Sequence, residues 1–241
     1  MSDIPKVLTD ELRAQLATIS TATLAHQLQM RGVRGSFFSG LKPTHPEMRM
    51  IGRARTLRYV ALREDVQQRF GRGVNAQKRA VEGCEPGDVL VIEARNIPDA
   101  GTIGDIFVGR LHAIGASGVI TDGALRDTPA ITAIPIPAYH QSSHAATLGR
   151  YHMPYSVDDC ITCAGVFVEP GDVIVGDAEG AVVIPMALVE EVTKASLAQE
   201  EVELFAIERV SAGEPTTDLF PLADSRRPDY EAWRAARQKG K

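Results

Sequence analysis

The spacing of apolar residues near the start of the chain is helical. Five positions share that spacing: Leu12, Leu16, Ile19, Leu24 and Leu28. Thr9 or Asp10 can cap a first helix, and Ser20 or Thr21 can cap a second. Gly32 falls where a left-handed residue commonly ends a helix. The pattern therefore predicts two consecutive helices at the start of the fold.

Strand patterns take over from Gly52, and one of them occurs twice. Glu85–Ala94 reads EPGDVLVIEA, and Glu169–Ala178 reads EPGDVIVGDA. In each copy Pro-Gly fixes a reversal, and the β-branched run supplies a core strand. We expect both copies to enter hairpins, the second continuing through Asp177–Gly180 as strand, turn and strand. Residues 64–83 are polar and helical in pattern. Together these segments indicate a compact, sheet-rich core rather than a helical bundle.

A glycine-punctuated loop, Asp99–Phe107, follows the first copy and opens a helix. The free N–H groups at such a helix start, with the positive end of the helix dipole, bind carboxylates and phosphates. The next strand, Val119–Thr121, returns beside this helix and leads through an Asp-Gly turn to Arg126 and Asp127. Arginine offers a fixed fork of donors, and aspartate offers hard oxygen to a divalent cation. The sequence therefore predicts a pocket for a small anion and a metal.

Composition and charge narrow the class of protein. The chain has 241 residues, 44% of them hydrophobic and 24% charged, with a formal net charge of -5. These values fit an ordinary globular protein, and the net charge provides no basic field for nucleic acid. No run of about 18 apolar residues occurs, and the start, Met-Ser-Asp-Ile-Pro-Lys, lacks the apolar stretch of a secretory signal. We predict a cytoplasmic protein without nucleic-acid or membrane partners.

The cysteines and histidines show no metal-binding spacing. Cys84, Cys160 and Cys163 are odd in number, which gives no support to a disulfide scaffold. Cys160 and Cys163 lack a second pair to complete a zinc tetrahedron, so we interpret both as small residues packed beside a strand. Three further residues cluster without the spacing of a zinc protease: His140, His144 and His152. We expect these to be surface or interface histidines.

Several motifs in combination resemble the RraA-like family, which includes class II pyruvate aldolases acting on 4-hydroxy-4-methyl-2-oxoglutarate and 4-carboxy-4-hydroxy-2-oxoadipate. The resemblance covers residues 18–195. It rests on Ser20-Thr-Ala22, Gly52-x-Ala54-x-Thr56, Pro86-Gly-Asp88, the Gly104 loop, Gly115-x-x-Gly118-Val-x-x-Asp122-Gly-x-x-Arg126-Asp127, Pro170-Gly-Asp172 and Asp177-x-x-Gly180-x-x-x-Ile184-Pro185.

This resemblance implies a fold and an assembly. The fold would be α/β, an α/β/β/α sandwich related to swivelling phosphohistidine-type domains, with a C-terminal helical extension. An RraA-like aldolase domain would span residues 1–210, and the extension would span residues 211–241. The family further implies homotrimers or homohexamers with active sites between subunits.

The resemblance also assigns candidate site residues. The family's substrate-binding stretch falls on Gly104, Asp105, Ile106 and Phe107. Its catalytic and substrate-binding arginine falls on Arg126, and its magnesium-binding aspartate, which acts partly through ordered waters, falls on Asp127. Asp105 would support those waters as a catalytic acidic residue. A carboxylate from a neighbouring subunit also approaches the site in this family, and Glu200, Glu201 and Glu203 remain open for that role. His26 stands where many relatives have an aspartate.

The chemistry of the residues favours a metal-dependent route. An aldolase that releases pyruvate stabilises an enolate with either a Schiff-base lysine or a divalent metal. Between Pro43 and Thr193 the only lysine is Lys78. We therefore predict a class II aldolase that uses Mg²⁺ or Mn²⁺ to cleave a 4-hydroxy-2-oxo acid to pyruvate and a second carbonyl compound, with oxaloacetate decarboxylation as a side activity. The alternative is a non-catalytic RraA-type regulator of ribonuclease activity, although such regulators tend to lose the aspartate after the arginine.

Overall fold

The computed structural model describes residues 7–70 and 73–239. The first six residues, which were predicted to lack the apolar stretch of a secretory signal, lie outside this range. Residues 71–72 of the predicted helical stretch also lie outside it. The helices assigned within the described residues are α1 Asp10–Leu16, α2 Thr21–Met30, α3 Glu64–Phe70, α4 Ala76–Glu82, α5 Asp105–Ile114, α6 Thr128–Thr132, α7 Val189–Ser211 and α8 Arg227–Lys239.

The first two helices begin at the predicted caps. The Thr9 hydroxyl accepts a hydrogen bond from the Leu12 N–H at the start of α1, and the Ser20 hydroxyl accepts one from the Thr23 N–H at the start of α2. Gly32 follows α2 with a φ of 85°, in the left-handed region. The prediction of two capped helices is therefore confirmed.

The strands form one large sheet and two small ones. Their bounds are β1 Lys42–Pro43, β2 Met50–Ala61, β3 Asp88–Glu93, β4 Gly101–Ile103, β5 Gly118–Thr121, β6 Ala124–Leu125, β7 Ala138–His140, β8 Ser142–Ser143, β9 His152–Val157, β10 Ile161–Cys163, β11 Val166–Val168, β12 Val173–Gly176 and β13 Ala181–Ile184. The large sheet runs β1-β7-β5-β3-β2-β12-β13, with β9 also on β2. Strands β2, β3, β5 and β7 are parallel, whereas β1, β9, β12 and β13 join antiparallel.

The two copies of the repeated segment have the same turn but different strand partners. Asp88 and Asp172 each accept the main-chain N–H of the residue three positions earlier, and Gly87 and Gly171 have φ values of 82° and 92°. Strand β12 pairs with β13 in a hairpin, as predicted. The hairpin prediction is wrong for the first copy, because β3 lies in the middle of the sheet between the parallel strands β2 and β5.

Packing on the two faces of β3 follows the alternation of its side chains. Leu90 and Ile92 are buried in a core shared with α4 and α5, whereas Val89 and Val91 are buried in a core shared with β10 and β11. A third core joins α1, α2 and α7 to β12 and β13. The predicted α/β class, with helices packed on the sheet and further helices at the C-terminus, is confirmed.

The C-terminal helices pack on each other around Phe205. This α7 residue is fully buried, and its ring lies 5.7 Å from that of Tyr230 and 5.6 Å from that of Trp233 in α8. Helix α7 runs without a break through Ser211, one residue beyond the predicted domain boundary after residue 210. That boundary stays a prediction. Within the described residues, no helix is long and apolar enough to cross a membrane.

Candidate functional site

The Gly104 loop connects β4 to α5 and leaves main-chain donors open. Gly104 precedes the first turn of α5 with a φ of -116° and supplies no side-chain cap. The Asp105 carboxylate accepts the Ile106 N–H at 2.8 Å. Within the described residues, the N–H groups of Asp105 and Phe107 have no hydrogen-bond partner. A helix start with open donors favours binding of an anion.

The Asp-Gly turn before Arg126 is held by buried contacts. The Asp122 carboxylate is 2% exposed and accepts main-chain N–H groups from Ala94, Asn96 and Ala164. Burial raises the pKa of this carboxyl, and the three hydrogen bonds oppose that effect. A side chain on Gly123 would lie 2.5 Å from the Thr102 side chain, so only glycine fits there. Asp122 is therefore a structural residue of the turn.

Pairing of β4 with β6 brings the loop and the charged pair together. The two strands run parallel, and the Arg126 N–H donates to the Ile103 carbonyl at 3.0 Å. A Cβ added to Gly101 would lie 2.6 Å from the Arg126 Cβ, and one added to Gly104 would lie 3.1 Å from Asp127 Oδ2. Both glycines thus permit the close approach of the two segments.

All six residues predicted for the site line one cavity of 410 Å³: Gly104, Asp105, Ile106, Phe107, Arg126 and Asp127. The side chains of Arg126 and Asp127 are 45% and 39% exposed, and Arg126 Nε lies 3.8 Å from Asp127 Oδ2. The Asp127 carboxylate accepts no hydrogen bond from the described residues. Ile106 is 81% exposed.

The protein offers few ligands for a metal at this place. Among the described residues, no group of three or more histidine, cysteine, aspartate or glutamate side chains is arranged to hold a metal ion. Two carboxylates line the cavity, those of Asp105 and Asp127, and of these the Asp127 carboxylate accepts no hydrogen bond from the described residues. The remaining oxygen ligands would have to come from substrate and water.

Comparison with known proteins decides the family. The family model named RraA-like, described as Aldolase/RraA, matches residues 17–183. This chain belongs to the RraA-like family. It is 32% identical over 183 residues to a protein of Halalkalibacterium halodurans named "Putative 4-hydroxy-4-methyl-2-oxoglutarate aldolase", a match that covers 74% of this chain and 78% of that protein.

Solved structures of other proteins share the fold. Streptomyces coelicolor RraAS2, an unusual member of the RNase ES inhibitor RraA protein family, is 30% identical with a TM-score of 0.76, over 83% of this chain and 96% of that one. An uncharacterized protein of Pseudomonas syringae pv. tomato is 23% identical with a TM-score of 0.76, over 88% and 98% of the two chains. The second likeness bears on the fold alone.

The cavity beside Arg126 is also lined by Gln77, which the sequence analysis did not identify. Gln77 lies in α4, is 3% exposed, and donates from Nε2 to the Thr102 carbonyl at 2.7 Å. The buried Tyr59 hydroxyl donates to the same carbonyl at 2.9 Å. The sequence signal for Gln77 was a polar residue on the buried face of the predicted helical stretch. That signal can be recognised only when it is known which face is buried. Gln77 fixes the strand that leads into the Gly104 loop.

The three glutamates considered for an intersubunit role all have partners within the chain. Glu200 accepts from the Ser20 N–H at 3.0 Å, Glu201 accepts from the Tyr230 hydroxyl at 2.9 Å, and Glu203 accepts from Gln199 at 2.7 Å. These contacts do not distinguish among them. His26 lies on α2 with Nδ1 3.1 Å from the Gln199 amide oxygen.

The structure corrects the interpretation of one histidine in this RraA-like chain. His152 is 1% exposed, and within the described residues neither ring nitrogen has a hydrogen-bond partner. It is therefore not a surface residue in this fold. His140 and His144 are partly buried. Cys163 is buried and Cys160 is exposed, so packing beside a strand holds for Cys163 only.

Proposed function

We propose that this RraA-like protein is a divalent-metal-dependent aldolase that cleaves a 4-hydroxy-2-oxo acid to pyruvate and a second carbonyl compound. One observation carries the proposal: Arg126, the unbonded Asp127 carboxylate and the open N–H groups of α5 line the same cavity. A positively charged hydrogen-bond donor, an anionic oxygen ligand and main-chain amide donors are the groups that an enolate and its metal require. The name of the Halalkalibacterium relative supports the same reaction class.

The Asp127 carboxylate fits a hard divalent cation. It is partly exposed, accepts no hydrogen bond from the described residues, and lies beside a glycine that leaves the space next to Oδ2 open. Mg²⁺ and Mn²⁺ prefer such oxygen ligands. When bound, the ion would act as a Lewis acid that stabilises negative charge on the 2-oxo oxygen. Asp127 would hold the ion, and the substrate would complete its coordination.

The protein's own groups would bind the acid and move its protons. The Arg126 guanidinium would neutralise the charge that develops on the enolate, and the N–H groups of Asp105 and Phe107 would donate to the substrate carboxylate. Cleavage of the C3–C4 bond removes a proton from the C4 hydroxyl and later adds one to C3. Asp105 lines the cavity and has one carboxylate oxygen engaged by Ile106, so its other oxygen is open to accept that proton directly or through water.

Pyruvate release tests this proposal. Purified protein with Mg²⁺ should release pyruvate from a member of a panel of 4-hydroxy-2-oxo acids and from oxaloacetate, and a chelator should abolish release. Arg126→Gln and Asp127→Asn should each lower kcat/KM by about 100-fold or more, the scale found for a lost charge-stabilising group. Arg110→Gln is the matched control, because Arg110 lies on the exposed side of α5 and pairs with Glu82. Full turnover by Arg126→Gln, or no pyruvate from any substrate, would refute the proposal.

A second candidate function is regulation of a ribonuclease without catalysis. The observation that favours it is the likeness to RraAS2, whose family inhibits RNase ES. The retained Arg126-Asp127 pair weighs against it, since a purely protein-binding function has no need of an open carboxylate beside an arginine in a cavity. Inhibition of a ribonuclease by the purified protein, together with no pyruvate release, would reverse this preference.

We further propose that the site lies at an interface in a homotrimer or homohexamer. Ile106 lines the cavity and is 81% exposed in the single chain, so a second chain placed over the cavity would cover an apolar side chain. Sedimentation velocity on the wild type and on Ile106→Asp tests this assembly.

We expect a cytoplasmic protein whose partner is a small 2-oxo acid rather than nucleic acid, since its net charge is -5.

A further inference from the structure

Helix α7 runs antiparallel to α2 and extends beyond it. Arg31, at the C-terminal end of α2, donates to the Glu191 carboxylate near the start of α7 at 2.8 Å. Ser20, at the N-terminal end of α2, donates its main-chain N–H to the Glu200 carboxylate at 3.0 Å. Residues 201–211 of α7 therefore lie past the start of α2. We call these residues the distal part of α7.

The distal part of α7 is covered on one side only. Phe205 is fully buried, and the aromatic rings of α8 pack against it. Three apolar residues of the distal part are 40%, 62% and 38% exposed: Leu204, Ile207 and Val210. We call these three residues the Ile207 stripe. Their exposure leaves an apolar face of the helix without a partner in the described part of the chain.

The Ile207 stripe continues the face of α7 that packs on the core. Eighteen residues of an α-helix make five full turns, so residues eighteen positions apart point in the same direction. Ile207 is related in this way to Val189, and Val210 is related to Val192. Val189 and Val192 are both buried in the core that α7 shares with α1, α2, β12 and β13. The stripe is therefore the face that this helix buries, carried past the surface that covers it within the chain.

The charged residues of the distal part have partners within the chain. Arg209 lies over the ring of Phe205, with its guanidinium carbon 5.3 Å from the ring centre. Each acidic residue accepts a hydrogen bond: Glu201 from Tyr230, Glu203 from Gln199 and Glu208 from Trp233. The charges beside the stripe therefore do not select a partner of opposite charge, and the surface that complements the stripe is apolar.

The spacing of the stripe suits a second copy of the same stripe. Leu204 and Val210 lie three positions before and three positions after Ile207. Two α7 helices that pack antiparallel about a two-fold axis at Ile207 would place Leu204 of each copy opposite Val210 of the other. The same pairing places Glu203 opposite Ser211 of the second copy, so like charges do not meet. The stripe is therefore self-complementary in both shape and charge.

We infer that the Ile207 stripe joins two copies of this chain through an antiparallel contact between their α7 helices. This inference does not depend on the proposed reaction. The match to the RraA-like family model ends at residue 183, before α7, so the contact lies outside the matched region. Because a two-fold contact joins copies in pairs, the assembly has an even number of chains, and a trimer formed through another surface becomes a hexamer.

Sedimentation velocity and cysteine cross-linking test this contact. Ile207→Asp places a charge at the centre of the stripe. Met30→Asp is the matched control, because Met30 is a similarly exposed apolar residue at the other end of α2. For cross-linking, single cysteines replace Leu204, Ile207, Val210 or Met30 in a Cys160→Ser background, which removes the exposed native thiol.

The wild type should sediment with an even number of chains at several protein concentrations. Ile207→Asp should halve the sedimenting mass with unchanged helix content by circular dichroism, and Met30→Asp should match the wild type. Ile207→Cys should form a disulfide-linked dimer on oxidation, because the axis places the two thiols together. Leu204→Cys and Val210→Cys should link when the two proteins are mixed and far less when each is oxidised alone. Met30→Cys should not link.

Several results would overturn the inference. An odd number of chains in the wild type would do so, and so would an unchanged mass for Ile207→Asp, which would leave the stripe to a partner other than this chain. If Ile207→Asp does not fold, the cysteine variants decide, and failure of Ile207→Cys to link would overturn the contact. Cross-linking of Leu204→Cys alone in preference to the mixture would overturn the antiparallel pairing. Pyruvate release enters none of these outcomes, so failure of the proposed reaction leaves this inference standing.

Discussion

Acidification should destabilise the fold through His152. This histidine begins β9 beside the ring of Tyr59, with the ring centroids 5.8 Å apart, and neither of its nitrogens has a partner among the described residues. Burial, aided by the charge of Arg95, lowers the pKa of His152 from 6.5 to about 4. The folded protein therefore holds the ring neutral in the range where the unfolded chain protonates it.

The sign and size of the effect follow from proton linkage. Above pH 6.5 neither state binds the proton, so His152 contributes no pH dependence there. Between pH 6.5 and about 4 the unfolded chain binds it and the folded chain does not, so the free energy of unfolding falls as the pH falls. The two pKa values give a loss of about 2 kcal/mol at pH 5, and about 3 kcal/mol once the pH reaches 4.

Urea unfolding at several pH values, at one protein concentration, measures this loss. Other buried groups also titrate, and burial raises the pKa of the Asp122 and Asp172 carboxyls, which favours the folded state as the pH falls. The informative quantity is therefore the difference between the wild type and His152→Leu, with His152→Phe as a second apolar variant. Each should lose about 2 kcal/mol less than the wild type between pH 8 and pH 5. His112→Ala, at an exposed site, should follow the wild type. Equal losses in the wild type and both His152 variants would contradict the burial argument.

Two further substitutions test how the cavity is held. Gly104→Ala places a Cβ 3.1 Å from Asp127 Oδ2 and should lower kcat/KM for pyruvate release by about 10-fold. The Tm should change little, because the backbone at this position suits alanine. Unchanged turnover would refute the tight fit. Gln77→Leu removes a buried bond to the Thr102 carbonyl and should cost about 1 kcal/mol in urea unfolding and raise KM. Tyr59→Phe, which removes the other bond to that carbonyl away from the cavity, should cost stability alone, and equal KM effects in both variants would contradict a role of Gln77 in the cavity.

Local signals in the sequence were sufficient for the elements that form the site. The capping hydrogen bond of α1 and that of α2 each join residues within a stretch of four, so Thr9 and Ser20 could be predicted as caps from the local sequence. The cavity residues of the Gly104 loop and the Arg126-Asp127 pair were predicted to lie together because a strand returns beside a helix. Their side-by-side placement follows from the pairing of β4 with β6.

Features that depend on distant strand partners could not be predicted in the same way. The EPGD turn is the same in both copies, yet β3 becomes a central parallel strand and β12 the first strand of a hairpin, because the segments that follow each copy differ. The burial of His152 comes from the pairing of β9 with the far end of β2. A cavity lined by Thr128 and Thr132 of α6 and by Ser143 and His144 joins this helix to β8, and no spacing along the chain indicates that contact.

Asp127 satisfies a backbone requirement and a chemical one at a single position. Its φ of 59° lies in the left-handed region, which aspartate and asparagine adopt more readily than most residues, and its carbonyl accepts the Ala130 and Ile131 N–H groups at the start of α6. Asparagine or glycine would serve this backbone equally well. Neither would offer a carboxylate to a cation at the wall of the Arg126 cavity. The fold therefore explains why the position needs a left-handed residue, and the proposed chemistry explains why that residue is an aspartate.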